Sequence, residues 1–358
     1  LLLKNILYFC AQNVIILNMR RSISFTILFF VMLSVLVSCY QSHKRELDLV
    51  YTLAESKPDS ALAFLNRINQ GKLSDKDMAK YALIYYMAQD KSGLDVDNDS
   101  LIRIAYDWYE GHQEDSLYAS SLYYMGKCFL LNDSMEQAKS CLEKSYSISD
   151  SLHNMNLKCL ALDKLIEVEE QLAPYKALNY AKALVKMYDS MANVTIYNKV
   201  AARLRLGENF FYVDSLQHAL EEERKAYRMA MKAGDSNLLS YVRQNLASTF
   251  EEMGEKDSCL YYARLAYDLN AANRFSCLLT FASAYISVDS LNQAFSLLNQ
   301  ALPKTAEDRY SVFYFQSQAA MKAQDFKSAK SFSDSAYHYL EDMYRTALQG
   351  KAAYYTSF

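Results

Sequence analysis

Glycine and proline are scarce, with 8 and 3 residues in a chain of 358, where average usage would supply roughly 25 and 18. Folds built on many tight turns are thereby disfavoured. The glycines stand singly at 71, 93, 111, 126, 207, 234, 254 and 350, so no glycine-rich loop exists to cradle a phosphate or a dinucleotide. The 7 cysteines form no CxxC pair, which argues against zinc and thioredoxin-like sites. His43, His112, His153, His218 and His338 are scattered, and neither HExxH nor GxSxG occurs. No metal centre is expected, and no nucleophile has a recognisable base beside it. Neither enzymatic activity nor a cofactor is therefore expected. Charge of one sign is not in excess either, since the formal net charge is −3. What is abundant is apolar material, 51% of residues against 22% charged, enough for a large core.

The N-terminal region carries an address. Met19 is followed by Arg20, Arg21 and an apolar run from Ile23 to Val37, the pattern of a signal peptide, and shorter than the ~20 residues a membrane-crossing helix needs. The run closes on Leu36-Val37-Ser38-Cys39, which resembles the bacterial lipobox, where a small residue precedes the cysteine that receives the lipid. That resemblance implies lipidation at Cys39 and a membrane partner reached through the N-terminal lipid. The expected organisation is an upstream stretch 1–18 outside the fold, a signal peptide 19–38, a lipidated tether 39–45, a helical repeat domain 46–345 and a terminal helix 346–358. Without residues 1–38 the chain loses Lys4, Arg20 and Arg21 and no acids, leaving 35 bases against 41 acids, a formal −6. A mildly acidic exported chain is poorly suited to nucleic acid. Tyr40 and Gln41 give no acidic sorting signal after Cys39, so the expected location is the periplasmic side of the outer membrane. Cys128, Cys141, Cys159, Cys259 and Cys277 fall on apolar helical stripes and read as small buried hydrophobes.

Self-similarity governs the rest. An apolar or small residue is followed four and seven residues later by others in Ala61-Leu65-Ile68, Leu101-Ala105-Trp108, Ala138-Leu142-Ser145, Ala177-Ala181-Leu184, Ala219-Glu223-Ala226, Cys259-Ala263-Ala266, Ala294-Leu298-Ala301 and Ala329-Ser333-Ala336. The first members recur at intervals of 35 to 42 residues. Such spacing marks one face of a helix. About twelve residues upstream of these anchors lies another periodic segment, so each unit is an antiparallel helix pair. A large apolar residue precedes Gly126, Gly207, Ala247 and Ala282, and an aromatic follows three residues later at Phe129, Phe210, Phe250 and Tyr285. Small residues there let two helix backbones approach closely. This pattern resembles the tetratricopeptide repeat and covers roughly residues 46–345, although the periods exceed the usual 34 residues. The resemblance implies an all-α, right-handed α-solenoid of about eight helix pairs. Asp-Ser dipeptides punctuate it. Asp59, Asp99, Asp133, Asp214, Asp257 and Asp289 precede second helices, Asp115, Asp150, Asp189 and Asp235 precede first helices, and all are read as N-caps.

In such solenoids the first helices line a concave wall where ligands bind. Projecting the repeat places Tyr86, Tyr123, Lys127, Asp163, Glu170, Arg205, Glu208, Tyr212, Tyr241, Gln244, Asn245, Ser248, Tyr314 and Gln318 on it. Tyrosines among polar groups suit a protein or peptide ligand, because the ring offers contact area and the hydroxyl pairs with backbone groups. The expected function is a membrane-anchored scaffold that binds a protein or peptide in the cell envelope. An alternative is the envelope-facing sensor half of a regulator that continues into a transmembrane helix and a DNA-binding domain. A glycan-binding lipoprotein is a third reading, against which the short connections argue.

Overall fold

The computed structural model describes residues 45–94, 99–112, 115–269 and 271–356. The signal-like run, the lipobox and Cys39 lie outside the described residues. Among the described residues there is helix and no strand, arranged as eight successive helix pairs. They are α1 (45–56) with α2 (Pro58–Leu65), α3 (Asp75–Lys91) with α4 (Ser100–Glu110), and α5 (Asp115–Leu131) with α6 (Met135–Ser151). There follow α7 (Met155–Leu172) with α8 (Pro174–Ser190), α9 (Ile196–Tyr212) with α10 (Leu216–Ala233), and α11 (Ser236–Glu252) with α12 (Lys256–Tyr267). The last are α13 (Arg274–Ser287) with α14 (Leu291–Leu298) and α15 (Ala306–Lys322) with α16 (Phe326–Thr356). The chain divides into two compact units between Met125 and Gly126, inside α5.

In the first unit the core is built from Leu47, Leu65, Leu83, Ile84, Ile102 and Leu122 together with whole tyrosines. Tyr86 is 2% exposed and packs on Tyr124 with ring centroids 5.7 Å apart, and Tyr123 is 4% exposed. Both were expected on a ligand-binding wall; they are core residues instead. A tyrosine ring has enough apolar area to fill space between helices as readily as it lines a groove, and projection onto a helix face does not separate the two.

In the second unit, consecutive helices pack against each other from α6 to α16, and the first helices of successive pairs also touch, α9 on α11, α11 on α13 and α13 on α15. This double set of contacts is what a stacked repeat requires. The anchors of four pairs, Ala138-Leu142-Ser145 on α6, Ala177-Ala181-Leu184 on α8, Ala219-Glu223-Ala226 on α10 and Cys259-Ala263-Ala266 on α12, are all 2% exposed or less. The pattern weakens at the far end, where Ser333 is exposed. Small residues are needed where they were read: a Cβ on Gly126 would stand 2.7 Å from Leu142 Cγ, and one on Gly207 would stand 3.1 Å from Glu223 Cγ. All five cysteines from Cys128 to Cys277 are buried. Burial pushes the Cys259 thiol up to about 12 and that of Cys159 to about 11, as expected for small hydrophobes without thiolate character. α16 runs unbroken from Phe326 to Thr356, so the division expected at 345 falls within one helix.

The Asp-Ser dipeptides do a different job from the one expected. Asp133, Asp214 and Asp289 take left-handed φ values of 54°, 58° and 60°. The N–H of Asp214 donates to the Phe211 carbonyl at 2.9 Å, and that of Ser215 donates to the Phe210 carbonyl at 2.8 Å. This pair of bonds closes the end of a helix in the Schellman manner. Asp133-Ser134 repeats it on Leu130 and Phe129, and Asp289-Ser290 repeats it on Ile286 and Tyr285. Gly254 and Gln324 hold the same place in their pairs, with φ of 74° and 60°. These aspartates therefore terminate first helices, because aspartate tolerates the left-handed region better than most side chains. Only Asp235 caps as read, accepting from the Leu238 N–H at 3.0 Å. Asp59, Asp115 and Asp257 sit in first turns, Asp99 makes no capping bond, and Asp150 and Asp189 lie inside α6 and α8.

Candidate functional site

The second unit contains a cleft of about 460 Å³ walled by α7, α9 and α11, with α8 contributing to it. Three helical faces build it. On α9 the residues Asn198, Ala201, Arg205 and Glu208 follow the three-and-four spacing of one helix stripe. On α11 Tyr241 and Asn245 do the same, and α7 supplies Leu160 and Asp163. Exposed Ala201 stands on the α9 face where a larger side chain would fill the space.

Charge in the cleft is organised around a single guanidinium. Arg205 lies 3.7 Å from Asp163, 3.7 Å from Glu170 and 3.9 Å from Glu208. These are ion pairs rather than hydrogen bonds. Burial opposes the charge on Arg205, and these three carboxylates together with Glu167 outweigh burial and hold its pKa above the ordinary value. Glu170 is raised by burial despite Arg205 and a 2.8 Å bond from Asn209 Nδ2. Glu208 Oε1 accepts a 3.1 Å hydrogen bond from Asn245 Nδ2, which ties α9 to α11. The local balance is thus negative, three carboxylates against one guanidinium.

Of the residues projected onto the wall, the structure brings Asp163, Arg205, Glu208, Tyr241 and Asn245 together on this cleft. Tyr212 and Ser248 line a smaller cavity of about 150 Å³ with Glu208, Glu223 and Thr249. Gln244 is engaged elsewhere: its Oε1 accepts from Asn273 at 3.0 Å and its Nε2 donates to Ser276, which joins α11 to α13. Tyr314 and Gln318 are exposed on α15, where Tyr314 stacks on Tyr310 with centroids 6.1 Å apart. Lys127, half-buried on α5, does not line the cleft.

Sequence reasoning missed Tyr188, Tyr197 and Asn198. The first lies on a second helix and the others in the opening turn of a first helix, outside the repeat core used for projection. It also missed the functional interest of Glu223, although an acid at an alanine anchor position was a visible signal. Glu223 is 2% exposed, and burial pushes its carboxyl up to about 7 even though Thr249 Oγ1 donates a 2.7 Å hydrogen bond to Oε1.

Chemically, the cleft offers exposed rings at Tyr197 and Tyr241, amides at Asn198 and Asn245, and fixed charges. Among the described residues no group of three or more histidine, cysteine, aspartate or glutamate side chains is placed to hold a metal ion.

No protein-family model matches the chain, and no curated protein does. Solved structures do. The apo form of RapI is 13% identical, with 88% of this chain and 95% of that chain covered and a TM-score of 0.65. NprR in complex with its cognate peptide NprX is 14% identical over 81% of this chain and 86% of that one, with a TM-score of 0.58. A signal-transduction ATPase with a tetratricopeptide repeat sensor from Pyrococcus horikoshii is 11% identical over 86% of this chain and 47% of that chain, with a TM-score of 0.61. The fold is therefore a tetratricopeptide-like helical solenoid.

Proposed function

We propose that the chain is a scaffold that binds a peptide or an extended protein segment in the cleft walled by α7, α9 and α11. The observation that carries this reading is the make-up of that cleft. Tyr197 and Tyr241 are 57% and 46% exposed although tyrosine is a residue that folding readily buries, and they stand beside amide side chains and an ion-pair cluster. Exposed aromatic surface next to fixed hydrogen-bonding groups is the make-up of a recognition surface. The fold likeness to NprR, whose solved structure holds a cognate peptide, supports the same class of ligand. The reading is of a binding protein rather than an enzyme.

The envelope location is a separate part of the proposal and rests on the sequence alone. Arg20, Arg21, the apolar run and the Ser38-Cys39 lipobox support a lipid on Cys39 that holds the scaffold at the periplasmic side of the outer membrane. Among the described residues no helix is long and apolar enough to cross a membrane.

Two experiments test these parts. A displayed peptide library selected on the full chain should yield ligands whose affinity drops tenfold or more, about 1.4 kcal/mol, in Tyr241→Ala and Arg205→Ala at unchanged helical circular dichroism. Equal affinity in both variants overturns the cleft assignment. The intact mass of protein extracted with detergent from its native membrane should show Cys39 bearing acyl chains. An unacylated Cys39 overturns the anchor.

A further inference from the structure

Next to the cleft, α9, α10 and α11 enclose the cavity of about 150 Å³ lined by Glu208, Phe211, Tyr212, Glu223, Ser248 and Thr249, with Asn245 completing it. Its deepest charge is Glu223. On α10 this residue occupies the small-residue anchor position, and Gly207 on α9 leaves it room. One carboxylate oxygen, Oε1, is satisfied by Thr249. The other, Oε2, is buried and has no hydrogen-bond partner among the described residues. A carboxylate oxygen shut away from water and donors is expensive, and here a second carboxylate, Glu208, lines the same cavity. Glu208 is oriented by Asn245 Nδ2 at 3.1 Å, and among the described residues its one ion pair is with Arg205 at 3.9 Å. Among the described residues no cation forms an ion pair with Glu223.

We infer that this cavity is a subsite for a primary ammonium group, the side-chain end of a lysine in the bound peptide. This rests on the peptide-binding reading above and specifies its ligand. An ammonium is a compact charge with three donors; with the Glu223 carboxylate turned towards the cavity it would give Oε2 the donor it lacks and place one positive charge between two carboxylates. The rings of Phe211 and Tyr212 would take the methylene stem, as apolar walls do for lysine, and a tyrosine face attracts the cation besides. The cavity adjoins the larger cleft through Glu208 and Asn245, which line both, so a peptide lying in the cleft has a short path for one side chain into it.

The groups facing Glu223 also set the pH dependence of binding. From α9 they are Glu208 and Tyr212, with Arg205 beyond Glu208, and from α11 the uncharged Asn245, Ser248 and Thr249. With the carboxyl of Glu223 pushed up to about 7, a cation entering at pH 6 must displace a proton and at pH 8 need not. Affinity therefore rises about tenfold between those pH values.

The probe is acetyl-Ala-Lys-Ala-amide titrated into the detergent-solubilised full chain by NMR, against its Nε-acetylated form and cadaverine as a free amine. The lysine peptide should bind at pH 8 at least tenfold more tightly than the acetylated one. Glu223→Gln keeps the shape and the acceptor for Thr249; it should cost tenfold and flatten the pH profile, with Glu208→Gln as a second, rim variant. Equal binding of the acetylated peptide, or unchanged affinity and pH profile in both variants, overturns the subsite. Binding of cadaverine without binding of the lysine peptide assigns the site to free amines and overturns the peptide source. Library-selected peptides that bind without lysine and ignore Glu223→Gln sink this inference alone, whereas failure of every peptide sinks the peptide-binding reading with it.

Discussion

Replacing Glu223 by glutamine should change how stability depends on pH, and by an amount the structure sets. The folded carboxyl titrates at about 7 against an ordinary 4.5, with burial the main cause and Glu208 adding to it. A raised acid pKa means that the folded state holds a proton the unfolded state has released, so stability falls as pH rises from 4.5 through 7. Integrated between pH 5 and pH 8, this one group removes about 2–3 kcal/mol. Glutamine cannot ionise, so the variant lacks that loss. The quantity to measure is a double difference, wild type against variant and pH 5 against pH 8, which cancels whatever the amide nitrogen costs in the same place. Native-state hydrogen exchange of the α10 amides, expressed as protection factors at the two pH values, reads it where it arises. Wild type should lose about 2–3 kcal/mol more protection than Glu223→Gln. Equal losses would show that Glu223 titrates normally, and the argument from its buried, half-satisfied carboxylate would collapse.

Three further outcomes follow from the packing. Glu169 on α7 accepts from Lys176 at 2.6 Å and Lys139 at 3.0 Å; burial works against its charge, yet the two lysines outweigh burial and hold its carboxyl below the ordinary range. Glu169→Ala should cost about 2 kcal/mol at pH 7, and in wild type this contribution should fade as pH falls below the ordinary carboxylate range, measured by urea midpoints. Gly126→Ala should destabilise by about 1–3 kcal/mol because its Cβ would stand 2.7 Å from Leu142 Cγ, and a raised melting temperature would show that the helices are not in close approach. Asp214→Gly should be neutral or stabilising and Asp214→Val should cost about 1–2 kcal/mol, since the site has φ of 58°; the reverse order in thermal melts would contradict the helix-terminating role.

The repeat was legible because it is written in residue size. Gly126, Gly207, Ala138 and Ala219 stand where backbones meet, and substitution by anything larger is sterically penalised, so their spacing survives as a readable signal. The aspartates of the Asp-Ser pairs were legible as punctuation and misread in role, since the same residue favours both an N-cap and a left-handed helix end. Which of the two applies depends on φ, a backbone quantity that residue type does not encode. The candidate cleft was legible in part. Arg205, Glu208, Tyr241 and Asn245 follow from helical projection, whereas Tyr86 and Tyr123 project identically and are buried. Exposure of a tyrosine is decided by what neighbouring helices cover, and that depends on contacts tens of residues away, such as Tyr86 with Tyr124. Glu223 was visible as an acid among alanines, but its unpartnered oxygen is a property of three helices together.

The most direct test of the central claim is a hydrogen-exchange footprint of the full chain with and without a library-selected peptide. Binding in the cleft predicts slowed exchange concentrated in α9 and α11, with the flanking turn of α7 following and α13 to α16 unchanged. Protection confined to other helices, or none at a saturating peptide concentration, would contradict the account.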